Sequence, residues 1–272
     1  MWAKLIFLTV CLGVCTSQTG LTPWDSLKVK WGRPGEPGVF EEMPRTVGDA
    51  QAKGFRKISD CNDNDPWRGA SYAKDGDYAL VLLFGRSGDI AGIQSRLPKN
   101  QTNGYPSVHV RPPFVDSGDH YVVTAYFTDP SYICRSSTAK KAQKRSFGPN
   151  LYIQNSTRPE DSILIPDNES GLLNSIWKEG LCFPTMGKHY WWNLSEDISC
   201  DRTFPFFLLY TGQRLIGFGW AFVTDLSSPR YEHPSAMSYK MFMNPVPKCL
   251  ASAGVTSSMH VYFTSQPERI AC

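Results

Sequence analysis

The chain is 272 residues long, with 28 basic and 25 acidic side chains, eight cysteines, 41% hydrophobic and 13% aromatic residues. That apolar content excludes collagen-like, coiled-coil and broadly disordered architectures and predicts a globular protein of one or two domains. A net charge of +3 carries neither the basic footprint of a nucleic-acid binder nor an acidic mineral-binding run, so nucleic acid is not an expected partner.

At the N-terminus, Lys4 precedes an apolar run over residues 5–14 and the small residues Cys15-Thr16-Ser17. This is the pattern of a secretory signal peptide spanning residues 1–17. The run is too short for a spanning helix, which needs about 20 residues, and no later stretch is apolar for that length, so no membrane span is expected. Cleavage removes Cys11 and Cys15 and leaves Cys61, Cys134, Cys182, Cys200, Cys249 and Cys272. An even set in an oxidising compartment predicts disulfides, and the absence of any Cys-x-x-Cys pair argues against zinc-finger or thioredoxin chemistry. Asn-x-Ser/Thr sequons at Asn100, Asn155, Asn168 and Asn193 agree with a secreted, extracellular glycoprotein.

Residues 18–43 read as a Pro/Gly-rich arm, since Trp31-Gly-Arg-Pro-Gly-Glu-Pro-Gly38 suits neither a helix nor a central strand. Two similar segments follow. In the first, Thr46 to Gly54 has a capping residue, an acidic residue three positions on and a stopping glycine, which predicts a short helix. Then come Cys61, Gly69-Ala-Ser-Tyr72, the hairpin Leu82-Leu-Phe84 with Ile90-Ala-Gly92-Ile93, a strand over residues 121–128, and Tyr126-Phe-Thr128 leading to Cys134. The second runs in the same order. A helix is predicted from Ser170 to Gly180, followed by Cys182, Gly187-Lys-His-Tyr190, strands over residues 206–210 and 215–224, and Tyr262-Phe-Thr264 leading to Cys272.

The expected fold is therefore mainly β with a few short helices: two tandem, pseudo-equivalent antiparallel β-rich repeats, residues 44–134 and 166–272, packed together. Residues 135–165, rich in Ser, Pro, Asn and Lys, read as an exposed connection containing the dibasic pair Lys144-Arg145, which leaves a processed precursor open as a further reading. Equivalence of the repeats pairs Cys61 with Cys134 and Cys182 with Cys272, which leaves Cys200 with Cys249.

Catalytic motifs are sparse. The sequence holds no Gly-x-Ser-x-Gly elbow and no phosphate-binding loop, and Gly217-Phe-Gly219 lacks the third glycine of a dinucleotide fingerprint. The histidines lack metal-ligand spacing, and Asp60-Cys-Asn62-Asp63-Asn64-Asp65 lacks the glycine and closing glutamate of a calcium loop, so an Asx-capped turn is expected there and neither metal nor cofactor is. His189 and Tyr190, in Met186-Gly-Lys-His-Tyr-Trp-Trp-Asn193, are the candidate catalytic or pocket residues, because Ser71 stands in the first repeat where His189 stands in the second. A hydrogen-bonded histidine at the edge of an aromatic core is the competing reading. Met186-Gly-Lys-His189-Tyr190, with Phe206-Phe-Leu-Leu-Tyr210 and Arg214-Leu-Ile-Gly217, resembles a pattern in uncharacterised secreted proteins of bacteria and invertebrates. The resemblance spans residues 185–223 and implies a shared β scaffold but no activity. The expected function is an extracellular binding or matrix component, of a skeleton, shell or mucous layer, with a protein, glycan or matrix partner. The alternative is a secreted enzyme or small-molecule binder with a pocket around His189 and Tyr190.

Overall fold

The computed structural model describes residues 24–135 and 150–272. The proposed signal peptide and the dibasic pair Lys144-Arg145 lie outside the described residues. Two antiparallel sheets pack face to face. The first sheet is built mainly from β3 (Phe55–Ser59), β4 (Ala70–Lys74), β5 (Asp77–Phe84), β6 (Ile90–Pro98) and β8 (His120–Tyr126), with β7 (Val115–Ser117) also paired to β8. The second is built from β11 (Trp177–Phe183), β12 (Gly187–Trp192), β13 (Phe206–Thr211), β14 (Arg214–Phe222) and β15 (Ser257–Tyr262).

Each sheet is extended by a short hairpin from elsewhere in the chain. β1 (Lys28–Val29) and β2 (Glu41–Glu42), from the N-terminal arm, join the second sheet through β15. β9 (Leu151–Ile153) and β10 (Ile163–Ile165) join the first sheet through β8. Residues 150–165, expected to lie in an exposed connection, are thus part of a sheet, with Leu151, Ile153 and Ile165 buried. Alternation over such short runs is hidden among Ser, Pro and Asn, yet it suffices to face one side of each strand inward.

β5 and β13 read as continuous apolar runs because both of their faces are covered. Leu82, Phe84, Leu208, Tyr210, Phe218 and Trp220 point between the sheets into one shared core, while Leu83 and Leu209 point outward into two smaller clusters. Fully burying side chains of this size contributes about 1.5–3 kcal/mol each. β13 turns into β14 through Gly212 and Gln213, with φ of 52° and 66°, the twist-matched two-residue hairpin.

The helix α1 (Val47–Ala52) forms as expected, with Thr46 Oγ1 accepting the Asp49 N–H at 3.2 Å. The helix expected from Ser170 to Gly180 does not form. Glu169–Leu172 is a single 3₁₀ turn capped by Asn168, and Trp177 onward belongs to β11. Gly171 and Gly180 weaken helical propensity, and pairing with β12 supplies the backbone bonds instead while burying Trp177 in the core.

Several single hydrogen bonds have counterparts in both halves. Ile90 N–H reaches Arg45 O and Leu215 N–H reaches Asp167 O, each at 2.8 Å; Phe127 N–H reaches Ala91 O and Phe263 N–H reaches Ile216 O, each at 2.8 Å. Cys61–Cys134, Cys182–Cys272 and Cys200–Cys249 are bridged, the pairs that equivalence of the halves implies. Gly92 and Gly217, opposite Tyr126 and Tyr262, also correspond. A Cβ there would lie 2.6 Å from Ala125 O and 2.3 Å from Val261 O, respectively, so the neighbouring strand demands glycine at both. Gly92→Ala and Gly217→Ala should each cost about 1–3 kcal/mol by overpacking, read as a lower urea midpoint. An unchanged midpoint in both would show that the strands have room to separate.

Candidate functional site

Alternation along β12 sends its two candidate residues to opposite faces of the sheet. His189 points outward and is 1% exposed, enclosed by Trp191, Phe207 and Phe242 with ring centroids at 5.9, 5.4 and 5.4 Å. Its Nδ1 lies 3.3 Å from Leu181 O. Burial, reinforced by the adjoining His260, pushes the imidazole down to about 3, so it is neutral at ordinary pH.

His260, from β15, meets His189 edge to face at 5.9 Å. Its Nδ1 lies 2.6 Å from Glu232 Oε2. A His–carboxylate pair is the usual orienting arrangement of a general base. Here, however, the same carboxylate accepts the Trp31 N–H at 2.7 Å and the His260 N–H at 3.3 Å, and Ser258 Oγ lies 3.4 Å away. Nε2 of His260 is buried without a hydrogen-bond partner, its ring packed 4.9 Å from Phe207. Glu232 thus joins the N-terminal arm at Trp31 to β15 at His260.

Ser71 and Thr124 occupy the matching positions in the first sheet. There a polar chain closes the face: Arg96 donates to Ser71 Oγ at 3.0 Å and to Gln94 Oε1 at 2.9 Å, and Gln94 Nε2 donates to Thr124 Oγ1 at 3.0 Å. The guanidinium stacks 4.8 Å over Trp67, and burial lowers its pKa to about 10.

Tyr190 points between the sheets, with its hydroxyl at the rim. It donates to Glu169 Oε1 at 2.5 Å and lies 3.1 Å from Glu179 Oε2, while Lys188 Nζ reaches the same carboxylates at 2.6 and 3.3 Å. Burial and then Glu169 push the Tyr190 hydroxyl upward. Burial also pushes Glu169 upward, but Lys188 and Tyr190 together outweigh it and hold the carboxyl below its ordinary value. The group ties the turn at Glu169 to β11 and β12. His189 and Tyr190 share no pocket.

A concavity of ligand size lies elsewhere. A cleft of about 470 Å³ is lined by Lys30 and Glu41 of the arm, Lys74, Asp75 and Asp77 around the β4–β5 turn, and Arg230. Arg230 lies 3.1 Å from Glu41 and 3.7 Å from Asp77, and Lys30 Nζ donates to Pro229 O at 2.6 Å. Three segments distant in sequence build it, so no local motif announces it. An apolar cavity of about 30 Å³ bounded by Trp191, Trp192, Tyr239 and Leu250 has room for little more than a water or two.

Of the sequons, Asn100, Asn168 and Asn193 are exposed and Asn155 is half-buried. Asn62 Oδ1 accepts the Asn64 N–H at 3.0 Å, forming an Asx turn in the segment weighed for calcium. Among the described residues, no group of three or more His, Cys, Asp or Glu side chains could hold a metal ion, and no helix is long and apolar enough to cross a membrane. No family model, curated protein or solved structure matches the chain.

Because the folded His189 resists protonation while the unfolded residue takes a proton near its ordinary value of 6.5, acid favours unfolding. Stability should fall by on the order of 1 kcal/mol per pH unit from this residue as pH drops below about 6.5, and should be unaffected by it above that value. His189→Phe should flatten this acid limb in urea titrations at pH 7, 6, 5 and 4. An identical limb in the variant would assign the loss to other groups.

Proposed function

We propose that the protein is a secreted, disulfide-bonded glycoprotein that acts as an extracellular binding or matrix component and engages its partner at the cleft bounded by Lys30, Glu41, Lys74, Asp75, Asp77 and Arg230. The cleft carries the reading. Its volume falls within the range of about 300–1,000 Å³ typical of ligand sites, and its lining includes charged groups of both signs. The histidines that would serve an enzyme are instead enclosed by aromatic rings or committed to Glu232. The three disulfides suit an oxidising compartment. Lys30, Lys74 and Arg230 facing Glu41, Asp75 and Asp77 fit an extended polar segment carrying charges of both signs, rather than an apolar small molecule.

The test is retention of the tagged, secreted protein on isolated extracellular matrix washed at physiological salt. The double variant Lys74→Glu/Asp75→Asn, which reverses one cleft charge and removes another while keeping at position 75 (φ 55°) a residue that tolerates the left-handed region, should lose retention at least about threefold with an unchanged melting temperature, since partly exposed charge changes hardly affect folding. Retention insensitive to the double variant would remove the cleft from the function. Turnover of chromogenic ester, peptide or glycoside substrates that is lost in His260→Ala would replace the binding reading with an enzymatic one. Glycopeptide mapping of the same material should find glycan at Asn100, Asn168 and Asn193, the exposed sequons.

A further inference from the structure

The hairpins do not stay with the halves that follow them in sequence. β1–β2 leads through α1 into the first sheet, yet pairs with β15 of the second; β9–β10 leads into the second sheet, yet pairs with β8 of the first. The two dockings match in register. Lys28 and Val29 oppose Tyr262 and Val261, and Tyr152 and Ile153 oppose Tyr126 and Ala125. Just beyond, Lys30 N–H reaches His260 O at 2.9 Å and Gln154 N–H reaches Thr124 O at 3.0 Å.

Side chains reinforce both attachments. On one side, Trp31 N–H binds Glu232, Trp31 Nε1 donates to Thr185 Oγ1 at 2.8 Å, and Phe40 packs on Tyr262 at 5.6 Å. On the other, buried Gln154 accepts the Tyr126 hydroxyl at 2.6 Å and donates to Pro66 O at 2.7 Å, and Glu160 pairs with Arg68 at 2.5 Å. Among the described residues no disulfide joins the halves: the bridges there each close within residues 61–134 or within residues 182–272.

We propose that the halves form a reciprocally clasped pair, each edge of β8 and β15 serving as the acceptor for a hairpin belonging to the other half, so that a chain break between Arg135 and Asn150 leaves a two-chain protein that stays assembled. In effect the interaction surface on each half fits one partner, the other half of this chain. Breaking the peptide connection converts an intramolecular contact into a bimolecular one, at the cost of effective concentration, without removing any contact just described.

The experiment uses the full chain with a site-specific protease sequence inserted after Lys144. After complete cleavage, the fragments should separate on a non-reducing denaturing gel but co-elute at the intact mass in native size-exclusion chromatography at micromolar concentration. The melting temperature, independent of concentration before cleavage, should rise with concentration afterwards. Gln154→Ala and, on the opposite clasp, Phe40→Ala should leave the uncut protein monomeric and folded while weakening assembly of the cut protein at least about tenfold. Separate elution of the wild-type fragments would overturn the proposal. So would cut-protein assembly unchanged by both substitutions, because the halves would then adhere through the shared core without need of the exchanged hairpins.

Discussion

The two-residue pairing of β1 with β15 decides whether the second sheet is complete. An unpaired β15 would present a row of backbone donors and acceptors at an open edge, a cost and an aggregation hazard that β-proteins manage by covering such strands. The arm covers it and at the same time places Leu27, Val29 and Met43 in the core between the sheets. β9 and Ile165 of the opposite hairpin do the same for β8. Each sheet has one face that the other sheet buries, and each also has a strand, β8 or β15, whose C-terminal end is paired by a hairpin from outside its own half. Packing and pairing therefore enforce the same association.

With that frame shared, the halves differ where their outer faces are closed. The first uses a desolvated arginine resting on Trp67 and satisfied through Gln94 and Ser71. The second uses neutral His189 within an aromatic box and His260 bound to Glu232. Both solutions put polar groups in a buried layer, and both meet most of the hydrogen-bonding demand internally. The second also draws in the N–H of Trp31, so the residue change from Thr124 to His260 coincides with recruitment of the arm. An imidazole between aromatic rings in a sequence can look like a reactive centre when its partners make it a structural one.

Much of the fold was legible from the sequence because it rests on local signals. Apolar runs such as Leu82-Leu-Phe84 and Leu208-Leu-Tyr210, bounded by glycine turns, marked the central hairpins, and Thr46 marked the helix start. The short strands β1, β2, β9 and β10 were not legible, since two or three residues cannot display a period. Their existence depends on edges formed far away in the chain. The stretch Ile176-Trp-Lys-Glu-Gly180 carries apolar and polar residues compatible with either a helix or a strand, and only the exposed edge of β12 selects the strand. For the site, His189 stood out against Ser71, and the same comparison, extended two residues back from Tyr126 and Tyr262, would have set His260 against Thr124. Glu232 could not be found that way, because it sits in a long insertion between β14 and β15 that has no marked counterpart. The cleft was invisible for a related reason: it belongs to three segments, none distinctive alone.

The arm also fixes the order in which the molecule can be finished. Lys28 is made long before Tyr262, yet they sit side by side in one sheet. During synthesis the first sheet has all of its strands once residue 165 has emerged, whereas the second must wait for β15 while the arm goes unpartnered. Long-range pairing of this kind delays folding and prolongs exposure of apolar strands. The vulnerable interval is thus the one between the making of β1 and the making of β15, when the arm needs a partner that another copy's strand can supply instead.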